Sequence, residues 1–308
     1  MDCALVVQKG DHSLGYYDLA TGDELARVPV DPFPHEFVLS PDRRFAYLCH
    51  FGVALAEDRG PGGDTVSVVD IGRRTRVATL HCGDDRRPHG IDLDALGRVY
   101  VLSEANSQLL RFDNTEGSGP ALRTPTGGLG SHLVTVADDG TRAYCSNMGS
   151  DTVTVVSTDG DAAPVVVPVG KRPEGSVLNA DGSRLYVVNR ESADISVIDT
   201  RSLEPLAPIP TSAGPVRICR EPNGRLLVAL YHGRGMALID PDRPQDQTEV
   251  PLPEKAISIS YDPNTRQAML SVLGDLVCVV DVEHGAVRQR IRTRSDPDPT
   301  ARIRLMCD

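Results

Sequence analysis

Ser183-Arg184-Leu185-Tyr186-Val187-Val188-Asn189, followed shortly by Ile195-Ser196-Val197-Ile198-Asp199-Thr200, is the stretch that decides the fold. Both runs are short, rich in β-branched and aromatic residues, and bounded by turn formers, so they read as two strands joined by a tight connection. The pair recurs. Ala143-Tyr144-Cys145-Ser146-Asn147 precedes Thr152-Val153-Thr154-Val155-Val156, Phe45-Ala46-Tyr47-Leu48 precedes Val66-Ser67-Val68-Val69-Asp70, and Ala268-Met269-Leu270-Ser271 precedes Val277-Cys278-Val279-Val280-Asp281. Upstream of such pairs stand Pro34-His35-Glu36, Pro88-His89-Gly90, Ser131-His132-Leu133 and Pro173-Glu174-Gly175, each leading into a further short apolar run. His89 and His132 lie 43 residues apart, and His132 and Glu174 lie 42 apart. Self-similarity at this period, with several strands per unit, indicates propeller blades. No stretch shows capped helical periodicity, so almost no helix is expected.

Innermost strands are expected to begin near His35, His89, His132, Glu174, Val216 and Ile257, with a seventh over Ala301 to Leu305. The chain opens directly in a second-strand-like run, Ala4-Leu5-Val6-Val7, so its inner partner has to come from elsewhere. Arg302-Ile303-Arg304-Leu305 is the natural candidate, because pairing the two ends closes the ring and removes open sheet edges. The reading is therefore an all-β, seven-bladed β-propeller with four-stranded blades, one closed by both termini, as a single domain over residues 1–308. A six-bladed ring with frayed ends is the alternative.

These units resemble the YVTN-type propeller repeat of the lactonase-like superfamily, with the segment from Ser183 to Thr200 the closest copy. The resemblance runs over nearly the whole chain. It implies fold strongly and function weakly, since such propellers serve as enzymes, binding modules and surface repeats.

Composition narrows the partners. A net charge of -11 excludes recognition that relies on neutralising nucleic-acid phosphates. No run reaches transmembrane length, so no membrane partner is expected. The start Met1-Asp2-Cys3-Ala4 lacks a secretory leader's basic and apolar segments. The seven cysteines are odd in number and lack paired spacing, and several fall inside strand runs, which fits reduced thiols and a cytoplasmic location. Trp is absent and aromatics make up 4%, so the core must be packed by Val, Leu, Ile and Ala.

In a propeller the start of each innermost strand and the end of each second strand share one rim of the channel. That rim gathers His35, His89, His132 and Glu174 from four consecutive units. Imidazole and carboxylate together suit a divalent transition metal, with Zn, Fe, Ni and Cu not distinguished. Glu36 and Glu104 are candidates for orienting the ligating histidines. His50, Glu174 and Arg190 are candidate catalytic residues. Arg217, Tyr231, His232, Asn147 and Asn189 are candidate contacts to a small-molecule substrate. The bland alternative is that each histidine only hydrogen-bonds the neighbouring blade, as Pro-His pairs do in similar repeats. In this series the three histidines are followed by Glu174 and then by Val216 and Ile257, which favours an off-centre site over an evenly distributed structural role. His12, His81 and His284 read as surface residues.

After His50 comes an insertion about ten residues longer than the equivalent crossing elsewhere, read as a lid over the site or as a tolerated surface loop. The resemblance implies chemistry on a lactone or ester, as a hydrolase or lyase whose metal polarises a carbonyl while His50 or Glu174 moves the proton. The alternative from a different class is a non-catalytic propeller that binds a protein or small-molecule partner.

Overall fold

The computed structural model describes residues 1–55, 58–115 and 119–305. They form seven four-stranded antiparallel sheets arranged in a ring, in which the innermost strand of each blade contacts that of the next. We number the blades by their innermost strands: blade 1 Pro297–Arg304, blade 2 Pro34–Leu39, blade 3 Pro88–Leu93, blade 4 Ser131–Val136, blade 5 Pro173–Leu178, blade 6 Pro215–Arg220 and blade 7 Ser260–Asp262. A single 3-10 turn, Pro244–Asp246, is the one helical element among the described residues.

Alternation decides how the blades stack. Second and third strands are buried on both faces, so they read as unbroken apolar runs such as Leu185 to Val188. Each interface between neighbouring blades holds its own apolar cluster. Blades 2 and 3 pack Tyr47, Cys49 and Val66 against Val99, Val101 and Leu110. Blades 5 and 6 pack Tyr186, Val188 and Ile195 against Leu226, Val228 and Leu230. Burying each such Val or Leu contributes about 1.5–3 kcal/mol, and the sum is spread around the ring. Of the described cysteines, Cys3, Cys49, Cys82, Cys145 and Cys278 are buried and unpaired, and burial pushes the Cys82 thiol up to about 12. Cys307 lies outside the described residues.

The termini close the ring as the sequence implies. Cys3 pairs with Ile303 and Ala4 with Arg302, and Met1 and Leu305 exchange two backbone hydrogen bonds of 2.9 Å. The closing strand begins at Pro297, four residues before the expected Ala301. Pro297 and Pro299 disguise this start, since neither can donate to a ladder. A β-bulge between Val6 and Gln8 accommodates them.

That bulge belongs to a series. In blades 1 to 6 the innermost strand carries an extra residue immediately after its first one, following Pro297, Pro34, Pro88, Ser131, Pro173 and Pro215. Bulges re-aim side chains. Here the displaced residues are Asp298, His35, His89, His132, Glu174 and Val216. Among the described residues no helix is long and apolar enough to cross a membrane.

Candidate metal centre at the channel mouth

The bulges turn five polar residues of consecutive blades, Asp298, His35, His89, His132 and Glu174, toward one mouth of the channel. The His35 and His89 ring centroids are 4.1 Å apart, and His89 stacks on His132 at 3.8 Å. Ligand atoms of His35, Glu36 and His89 lie within 4.8 Å of one another, as do those of His89, Glu104 and His132. Phe51 closes the apolar side, its ring edge-on to both His35 and His89.

Two of the histidines are anchored through Nδ1, and the Nδ1 of the third, His35, faces a carboxylate. His35 Nδ1 is 3.1 Å from Asp298 Oδ2. His89 Nδ1 is 3.1 Å from the His132 carbonyl oxygen and can only donate to it. His132 Nδ1 is 2.7 Å from Glu104 Oε2. Where Nδ1 is anchored, Nε2 is left to ligate, which is the usual arrangement around a protein-bound metal. Two overlapping groups, one with His35 and His89 and one with His89 and His132, could therefore hold a metal ion.

Electrostatics around the mouth are paired. Arg217 bridges two acids, donating to Glu36 Oε1 at 2.6 Å and to Glu174 Oε2 at 3.0 Å. Glu174 also meets Arg190 at 3.3 Å and His132 Nε2 at 3.5 Å. Burial opposes the charged form of Glu174, yet His132, Arg217 and Arg190 outweigh it and hold the carboxyl down at about 2. Burial likewise opposes the His132 imidazolium, but Glu104 and Glu174 raise it to about 9. Burial, reinforced by the charges of His132, His35 and Arg217, pushes His89 well below the usual range, so it is a neutral imidazole. Burial raises the Asp298 carboxyl. The carboxylates of Glu36, Glu104 and Glu174 are thus met by the guanidiniums of Arg172, Arg190 and Arg217 and by His132, while Asp298 faces His35.

The sequence-derived candidates divide. His35, His89, His132, Glu36 and Glu104 come together, and Glu174, Arg190 and Arg217 form the adjoining charged cluster. His50 is elsewhere: its Nδ1 is 2.9 Å from Thr65 Oγ1, which donates to Asp31. Burial lowers its pKa to about 4. Asn147 spends its side chain on Ser131, Thr152 and Thr154, and Asn189 on Asp194 and Ser196. These three residues end second strands, where the pleat directs side chains into the blade. Tyr231 lies beside Arg190, whose guanidinium sits 4.4 Å from the ring centroid, with Lys255 Nζ at 4.7 Å and the exposed His232 edge-on at 5.2 Å. Of the residues expected at the surface, His284 is exposed and bonded to Asp281, while His12 is half-buried against Lys9 and Phe33. Asp298 escaped the sequence reading because its strand was begun too late. The signal was there: Pro297-Asp298 repeats the Pro34-His35 and Pro173-Glu174 pattern.

The insertion after His50 is tied to the site. Arg87 Nη2 donates to the Asp58 and Gly60 carbonyls at 2.5 and 3.1 Å, and the guanidinium lies 5.5 Å from the Phe51 ring centroid. Gly52 has a φ of 80°, and a Cβ there would strike the Gly63 backbone, so the two ends of the loop meet at glycine. Residues 56 and 57 of this segment lie outside the described residues. We expect Arg87→Ala to free the loop, read as faster protease cleavage between Leu55 and Gly63 with little change in melting temperature. A cavity of about 750 Å³ lined by Leu39, Asp262 and Arg304 opens at the opposite ends of the inner strands and holds none of these groups.

Fold and mouth together define a seven-bladed β-propeller with a buried polar cluster at one end of its channel. No family model matches the sequence, and no curated protein does. Among solved structures it is similar to the periplasmic gluconolactonase of Pseudomonas aeruginosa, with TM-score 0.80 and 15% identity over 99% of this chain and 100% of that one. It is also similar to a protein from Bacteroides uniformis proposed to be a 6-phosphogluconolactonase, with TM-score 0.77 and 14% identity over 98% and 99% of the two chains. The virginiamycin B lyase of Staphylococcus aureus follows at TM-score 0.70 and 14% identity over 87% and 88%. At these identities the likeness is one of fold.

Proposed function

We propose that the protein is a metal-dependent enzyme that opens a lactone or ester at the channel mouth, by hydrolysis or elimination, on a small carbonyl-containing substrate. The observation that carries this is the gathering of His35, His89 and His132 at one mouth, in two overlapping groups of possible ligands that share His89. Likeness in fold to a gluconolactonase and to a lyase supports the substrate class.

The three histidines would hold a divalent transition metal, with Glu36 and Glu104 beside them, and the metal would supply Lewis-acid polarisation of the substrate carbonyl. The chain's own residues do the rest. Glu104 fixes the His132 ring, and Glu174, held ionised by Arg217 and Arg190 beside that ring, is the residue that would move a substrate proton. Arg190, Tyr231 and Lys255 form a cationic and aromatic wall that can orient an electron-rich substrate group. Phe51 and the loop pinned by Arg87 exclude water from the histidine side. His50, turned toward Thr65, is left out of the proposed proton path, and Asn147 and Asn189 out of the proposed substrate contacts.

Elemental analysis of protein purified without a His tag tests this. About one equivalent of a transition metal is expected. It should be absent from His89→Ala, and likewise from His35→Ala and His132→Ala, with the propeller still folded. A metal-free wild type that cannot be reconstituted would sink the proposal. It would favour the second reading, a non-catalytic binding propeller, for which the Arg217 bridge between Glu36 and Glu174 is the supporting observation, because it satisfies both acids without a cation.

A further inference from the structure

Asp298 is unlike the other acids at the mouth. Glu36 and Glu174 are bound by guanidinium groups, and Glu104 is bound by His132. Asp298 is 1% exposed, and neither of its carboxylate oxygens has a hydrogen-bond partner of good geometry among the described residues. His35 Nδ1 is in the same condition, and it lies 3.1 Å from Asp298 Oδ2. The other acceptor near His35 Nδ1, Glu36 Oε1, is farther away at 3.8 Å and is already held by Arg217, so His35 and Asp298 satisfy one another by a small ring rotation. Leaving both unmade would strand two desolvated polar groups, which folded proteins avoid.

The repeat supplies the second argument. Asp298 is the bulge residue of blade 1, equivalent to His35 in blade 2, His89 in blade 3 and His132 in blade 4. Each histidine takes its Nδ1 acceptor from an adjacent blade: His89 from the blade 4 backbone, His132 from Glu104 after the second strand of blade 3. His35 is the first of the three, and the acceptor that reaches it comes from blade 1. That blade's innermost strand is the one donated by the far end of the chain.

We propose that Asp298 is a positioning residue: it accepts the Nδ1 proton of His35, fixes the tautomer that presents Nε2, and so makes the metal centre depend on docking of the closing strand. This rests on the metal reading given above. It places the third anchored histidine under the control of a residue 263 positions away in sequence, whose strand is paired only when the ring is shut. His89 and His132, by contrast, are anchored entirely within blades 3 and 4.

The test uses imidazole-¹⁵N-labelled full-length protein at alkaline pH, where ordinary imidazoles are neutral, with the His35 resonances assigned by their loss in His35→Gln. The metal-free wild type should show the Nδ1-protonated tautomer for His35. Asp298→Ala should shift it toward the Nε2-protonated form, and Asp298→Asn, whose amide oxygen can still accept, should keep the wild-type pattern. Zn²⁺ titration should show affinity reduced about 10- to 100-fold in Asp298→Ala and largely restored in Asp298→Asn. Unchanged melting temperature in the asparagine variant separates this from loss of closure. A His35 tautomer indifferent to Asp298→Ala, in protein that stays folded, overturns the proposal. A wild type that takes up no Zn²⁺ while Asp298→Ala still switches the tautomer defeats the metal reading and leaves the positioning role standing.

Discussion

Glu174→Ala is expected to lower the unfolding free energy of the metal-free protein by roughly 3–5 kcal/mol, the usual cost of removing one partner from a buried ionic cluster. Glu174 is 4% exposed and meets Arg217, Arg190 and His132 at 3.0, 3.3 and 3.5 Å. Without it, Arg217 retains only Glu36, and the His132 imidazolium retains only Glu104. Water cannot readily replace the carboxylate, because the Arg217 side chain is itself only 12% exposed. Urea unfolding reads the loss as a lower midpoint at unchanged slope. A cycle with Arg217→Met should return a coupling energy above about 1 kcal/mol. A loss under about 1 kcal/mol would mean that the cluster does not form as described.

The second large effect depends on pH. His132 is raised to about 9 in the folded protein against an ordinary 6.5, by Glu104 and Glu174 acting against burial. A raised pKa means that the folded state binds the proton more tightly. Its contribution is therefore complete below pH 6.5 and is lost as pH rises through 9. The shift corresponds to at most about 3 kcal/mol. His89 works in the other direction: its lowered pKa keeps it neutral when folded, so stability falls as pH drops below the ordinary imidazole value. Metal-free wild type should lose stability between pH 6.5 and 9.5, and His132→Gln should lose much less over the same range. Parallel curves for the two proteins would show that His132 carries no bound proton of this kind.

How much of this was legible in the sequence depended on which interactions are local. The pair of strands around Tyr186 is local, and a period near 42 residues followed from comparing copies, so the ring and its count of blades could be read. His35, His89 and His132 could be placed on one mouth because equivalent positions become neighbours. Direction was harder. His50, Asn147 and Asn189 end their strands at the correct rim, but the pleat turns their side chains toward Thr65, Ser131 and Asp194. Spacing fixes where a strand ends; the register against its partners fixes where its last side chain points. The bridge from Arg217 to Glu36 spans 181 positions and has no sequence signature. Asp298 was hidden between two prolines that read as a turn.

The pairing of Cys3 with Ile303 has a consequence for the order of events during synthesis. A ribosome delivers residue 3 long before residue 303, and blade 1 cannot exist until both are outside the exit tunnel. Blades 2 to 6 can stack as they emerge, while the strand Asp2–Gln8 waits with one edge open. Until then the chain can form at most an open arc of blades whose seam is the unpaired edge of Asp2–Gln8, the kind of exposed strand edge that invites mispairing.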